Sequence, residues 1–135
     1  MDKQIEKKRI NAFVSDAEIG SFMRFVLEIT DTTVTETVIN KFKEVMGGLW
    51  VGGNAILYET KLYFRPNAVN QLFHADDYSL EIPLTEIKEV NIRFGMVTKI
   101  IDLVTEHGKF SMRCYGAKKF ADTIRNQVAL QKSKD

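Results

Sequence analysis

Beyond Leu49 the apolar residues of this chain recur close to every second position, and at Ala117 that period gives way to a helical one. A strand buries alternate side chains whereas a helix buries one stripe. The switch therefore constrains the chain to a sheet followed by a helix laid against it. Ala55-Ile56-Leu57-Tyr58 and Leu62-Tyr63-Phe64 read as two strands of a hairpin turning at Glu59-Thr60-Lys61. Pro66 ends the second strand because it lacks the N–H a ladder requires. The alternation resumes at Leu80, Ile82 and Leu84, slips at Ile87 and returns at Val90, Ile92 and Phe94, which places a bulge or bend near Pro83-Leu84-Thr85. A further hairpin runs from Val97 to Thr105, turns at Glu106-His107-Gly108 and returns from Lys109 to Tyr115. In its second strand Phe110, Met112 and Cys114 face a core, and Lys109, Ser111, Arg113 and Tyr115 face water. Ala117, Phe120, Ala121, Ile124 and Val128 then form the stripe of an amphipathic helix.

The N-terminal third reads differently. Met1 to Arg9 is charged and lacks a following apolar block with a cleavage site, so no secretory signal is expected. Ser15-Asp16-Ala17-Glu18 has the form of a capping box, with Ile19, Phe22, Met23, Val26 and Ile29 at helical spacing behind it. Thr30-Asp31-Thr32-Thr33 breaks that helix. A second helix carrying Val34, Val38, Phe42 and Val45 ends at Gly47-Gly48. Residues 1–43 thus read as a helical extension on a module spanning 44–131, within one domain of 1–135.

With 44% hydrophobic and 27% charged residues, the composition favours a packed domain over disorder. No apolar stretch reaches the roughly 20 residues of a membrane span, and the single cysteine, Cys114, reads as core in a reducing, cytoplasmic setting. The net charge of +1 is uneven: residues 91–135 hold nine Lys/Arg against four Asp/Glu, and residues 11–90 hold six against twelve. A basic face able to meet an anionic partner follows.

Enzyme chemistry finds no support in the residue pattern. His74 and His107 lack a flanking nucleophile motif, and His74 with Asp76-Asp77 reads as a solvated loop rather than a metal site. Gly47-Gly48 and Gly52-Gly53 lack the spacing of a phosphate-binding loop or dinucleotide fingerprint. No cofactor is expected. Without a nucleic-acid-binding motif, basic charge alone does not favour DNA or RNA. Trp50, Phe64 and Phe94 read as core aromatics.

Two segments carry a family resemblance. Gly53 to Phe64 resembles the GRAM pattern of a glycine, an apolar strand, a threonine near the turn and an apolar strand closing on phenylalanine. Glu81-Ile82-Pro83-Leu84-Thr85-Glu86-Ile87-Lys88-Glu89-Val90 resembles its second hallmark. The resemblance implies an α+β, pleckstrin-homology-like antiparallel β-barrel or sandwich capped by a C-terminal amphipathic helix, with N-terminal helices added. It also implies a non-catalytic module that recognises a protein partner or an anionic lipid surface, peripheral to a membrane. The hairpin at 55–65 supplies only Lys61 and Arg65 beside Glu59, short of the basic motif with which phosphoinositide-binding members clamp phosphate. The candidate lipid or anion contacts are therefore Lys99, Lys109, Arg113, Lys118 and Lys119. A self-associating structural protein and a cone-shaped α+β fold enclosing a small-molecule pocket are the alternatives.

Overall fold

The computed structural model describes residues 2–29, 36–67 and 79–134, without the side chains of Ile29, Val38 and Val45. The Thr30–Thr33 break, Val34, and His74 with Asp76-Asp77 lie outside these residues, as does most of the connection from 66 to 78.

From Arg9 to Val14 the chain alternates, with Ile10, Ala12 and Val14 buried. That alternation builds β1 (Gln4–Phe13), which the sequence reading placed inside a helical extension. The correction has a physical reason. Lys7, Lys8 and Arg9 obscure the period of a strand whose first half is wet, so only Ile10 and Ala12 carry the signal. β1 lies in the middle of a seven-stranded sheet of order β4-β3-β2-β1-β7-β6-β5, comprising β2 (Val51–Tyr58), β3 (Lys61–Pro66), β4 (Leu80–Pro83), β5 (Glu89–Arg93), β6 (Ile100–Thr105) and β7 (Gly108–Arg113). Every ladder is antiparallel. A single 3-10 turn, Leu84–Glu86, stands at the anticipated bend.

The connection from β1 to β2 contains two helices, α1 (Ile19–Ile29) and α2 (Glu36–Met46). Ser15 starts α1 as anticipated: its Oγ accepts from the Glu18 backbone N–H at 3.2 Å and donates to Glu18 Oε1 at 3.2 Å. Ile19, Phe22, Met23 and Val26 are buried, and the Phe22 ring stacks on Phe110 of β7 at 6.4 Å. On α2 the buried residues are Ile39, Phe42 and Met46. Gly48 ends the segment at φ 73°, and its N–H donates to the Val14 carbonyl at 2.9 Å.

The C-terminal helix α3 (Ala117–Lys132) buries Ala117, Phe120, Ala121, Ile124 and Val128, the stripe read from the sequence. It packs on β5, β6 and the 3-10 turn. Its polar side chains tie down carbonyls around β5 and the β2–β3 turn: Arg125 donates to Val90 through Nε at 3.0 Å and through Nη2 at 2.8 Å, Lys132 to Ile87 at 2.6 Å, and Gln127 to Glu59 at 3.3 Å.

Four expectations are corrected, at Ser111, Phe94, Trp50 and the start of β6. Ser111 is fully buried, because Asp102 stands opposite it in register and accepts its hydroxyl at 2.6 Å. Arg93 Nε closes on the same carboxylate at 2.8 Å, and a carboxylate held by such bonds contributes about 1.5–3 kcal/mol for each charged hydrogen bond. Phe94 is 89% exposed rather than core, and Trp50 is 37% exposed, whereas Phe64 is buried. Finally, β6 begins at Ile100, so Val97–Lys99 belong to the preceding loop.

Candidate functional site

Geometry at the sheet centre builds a cavity. β1 pairs with β2 from Gln4 to Ala12, but with β7 only at Asn11, Ala12 and Phe13. The two strands therefore part at the level of Arg9 and Cys114, and the β5–β6 loop lies beside the opening. The resulting cavity of about 370 Å³ is lined by Arg9, Asn11, Asn67, Thr98, Arg113 and Tyr115 among others. Gly52 and Gly53 also border it. A Cβ on Gly52 would come within 3.2 Å of Asn11 Oδ1 and 3.4 Å of Asn67 Nδ2. A side chain there would therefore crowd both amides that flank the cavity.

Two polar atoms at this cavity lack a partner. Arg113 Nε and Thr98 Oγ1 are both buried and make no hydrogen bond among the described residues, and both residues line the cavity. Leaving such a group unsatisfied costs about 1–3 kcal/mol, so native proteins rarely tolerate it without a reason. The Arg113 guanidinium lies 4.3 Å from the Trp50 ring centroid, and Trp50 in turn packs on Phe13 at 5.1 Å. Among the described residues no ion pair joins Arg9 or Arg113 to a carboxylate. The cavity is thus cationic, carries unpartnered polar atoms, and suits a small anion with several acceptor oxygens.

Cys114 also lines it, with its thiol pushed above the ordinary range. Burial is the main cause; the Lys8 ammonium opposes the shift and Glu6 adds to it. Lys8 Nζ reaches the Tyr115 carbonyl at 3.1 Å, just before Gly116 turns the chain into α3 at φ 67°.

The five residues anticipated from the sequence are placed unevenly. Arg113 lies in the cavity wall and Lys99 follows Thr98 on the adjacent loop. Lys109 points to Asp102, its Nζ 4.0 Å from the carboxylate. Lys118 and Lys119 are exposed on the first turn of α3. Arg9, Asn11 and Thr98 were missed. The signal for the first two was the alternation of Arg9, Asn11 and Phe13 with Ile10, Ala12 and Val14; nothing in sequence marks Thr98. The basic first hairpin also moves. The first antiparallel strand pair is β1 with β2, joined through α1 and α2, and its β1 carries Lys7, Lys8 and Arg9; the hairpin at 55–65 is β2–β3.

A larger hollow of about 500 Å³ lies between α1, α2 and the β6–β7 turn, lined by Asp16, Arg24, Glu28, Lys43 and His107 among others. Its charges are mixed, Arg24 pairs with Glu36, and His107 rests on Phe25 at 4.5 Å. No buried polar atom there lacks a partner among the described residues. Those residues likewise contain no cluster of three His, Cys, Asp or Glu able to hold a metal, and no helix long and apolar enough to cross a membrane.

No family model matches the chain, and no curated protein matches it. Among solved structures it is similar to one described as the Vps36 N-terminal PH domain, at 9% identity and a TM-score of 0.60, over 98% of this chain and 83% of that one. At that identity the likeness carries architecture and not ligand. The segments Gly53 to Phe64 and Glu81 to Val90 lie on β2–β3 and on β4 with the turn and strand that follow. The chain has the α+β pleckstrin-homology-like fold.

Proposed function

We propose that this chain is a non-catalytic binding module of the GRAM or pleckstrin-homology kind, whose cavity between β1, β7 and the β5–β6 loop takes a phosphate-bearing anion. The observation that carries this reading is a cavity lined by two arginines, Arg9 and Arg113, neither of which is paired with a carboxylate among the described residues. A phosphate offers several acceptor oxygens, enough to engage the Arg9 and Arg113 guanidiniums together. The source favoured is an anionic lipid headgroup at the cytoplasmic face of a membrane, because Lys99, Lys118 and Lys119 add cationic charge outside the cavity. A soluble protein partner or a second copy of the chain is the competing outcome.

Trp50 is the only tryptophan and touches Arg113, so its emission reports on the cavity. Titration with glycerol 3-phosphate at low salt is expected to change that emission saturably. Arg9→Gln, which leaves the Trp50–Arg113 contact in place, should raise Kd about tenfold, the value of one charged hydrogen bond. A flat titration, or an Arg9→Gln protein that binds as the parent does, would overturn the reading.

A further inference from the structure

Among the described residues large apolar side chains are mostly buried, yet the four most exposed ones cluster. Phe94 is 89% exposed, Met96 97%, Val97 79% and Tyr115 80%. Three stand on the β5–β6 loop, and the fourth follows β7 beside it. Val97 and Tyr115 line the same cavity as Arg9 and Arg113, so the apolar tip and the cationic cavity share one rim.

The loop is a built feature. A Cβ on Gly95 would come within 2.1 Å of the Thr98 carbonyl oxygen, so the turn is drawn tight over that glycine. Its flanks carry Arg93 and Lys99, and Lys99 Nζ lies 5.9 Å from the Phe94 ring centroid. From Val90 to Ile101 the chain has no acidic residue, and from His107 to Ala121 it has none either. Arg93 is engaged by Asp102 at 2.8 Å, so the charge beside the apolar tip comes from Lys99 and from Arg9 and Arg113 of the shared rim, an arrangement complementary to anionic headgroups over hydrocarbon.

Resting on the anion-binding reading above, we propose that the Phe94–Val97 loop and Tyr115 insert into an anionic lipid bilayer, which turns the cavity mouth toward the headgroups. Phe94, Met96 and Val97 enter the acyl boundary, Tyr115 sits at the headgroup level, and Arg9, Arg113 and Lys99 meet phosphates. The occupant is a bilayer rather than a free phosphate ester, since a free ester would leave the apolar tip in water.

The test combines vesicles of phosphatidylcholine, with and without phosphatidylserine, with the glycerol 3-phosphate titration. Phe94→Ser and Met96→Ser alter only exposed side chains and should leave the thermal midpoint unchanged. Each should weaken sedimentation with the anionic vesicles about tenfold, the effect of withdrawing one large apolar side chain from lipid, while glycerol 3-phosphate still binds. In a Trp50→Phe background, Phe94→Trp should be quenched by phosphatidylcholine brominated on its acyl chains. Serine variants that sediment like the parent, or an unquenched Trp at 94 on bound vesicles, would overturn insertion. If the parent binds glycerol 3-phosphate but no vesicle, the membrane inference fails and the anion site stands. If it binds anionic vesicles but not glycerol 3-phosphate, the anion site fails and the brominated-lipid result alone decides insertion. Binding of neither removes both.

Discussion

A chain lacking residues 1–13 is expected not to fold, giving no cooperative thermal transition and only the far-ultraviolet signal of an unfolded chain. The loss follows from position. β1 is the central strand, paired with β2 along most of its length and with β7 at its end, and its removal leaves the two halves of the sheet without a common ladder. It also strips Ile10 and Ala12 from the core and leaves the edges of β2 and β7 bare. A single-residue version, Ala12→Asp, buries an unpaired carboxylate at a position with no exposure, and should cost several kcal/mol. Were residues 1–43 a detachable extension, the truncated chain would melt cooperatively near the parental midpoint.

The second large effect belongs to α3. Phe120 and Ile124 are both fully buried in the stripe that covers the sheet beside β5 and β6. Phe120→Ala should lose about 3–5 kcal/mol and Ile124→Ala about 2–5 kcal/mol through lost transfer energy and an unfilled cavity. Urea denaturation measures both, with the midpoint falling and the slope nearly constant. Parental midpoints in both variants would mean that α3 is not the lid of this core.

The contrast between these two elements shows what the sequence could reveal. The α3 stripe was legible because Ala117, Phe120, Ala121, Ile124 and Val128 repeat over about three turns against a polar circumference. β1 was not, because Lys7, Lys8 and Arg9 mark a wet half-strand that resembles a charged tail. The strands from Val51 to Arg113 followed from alternation and turn chemistry, although Phe94 and Trp50 were misplaced. An aromatic residue continues the period of its strand whether or not anything covers it. Ser111 was misplaced for the opposite reason: its burial depends on Asp102 across the ladder, a pairing no local pattern contains.

The candidate site was harder still. Of the five basic residues suggested by charge density, only Arg113 lines the cavity. Its companions Arg9 and Asn11 come from β1 and Asn67 directly follows β3, brought together by a topology that places β1 at the sheet centre. Thr98 enters through a loop whose shape depends on Gly95. Proximity across the sheet made the site, and proximity is what a linear period does not encode.

The most direct test of the central claim is a map of amide chemical shifts as inorganic phosphate and then glycerol 3-phosphate is added to the full chain at constant ionic strength. Shifts confined to Gly52, Gly53, Thr98, Arg113 and Tyr115, and lost in Arg9→Gln, are the predicted result. Shifts centred instead on Asp16, Arg24 and Lys43 of the other hollow, or none at saturating phosphate, would contradict it.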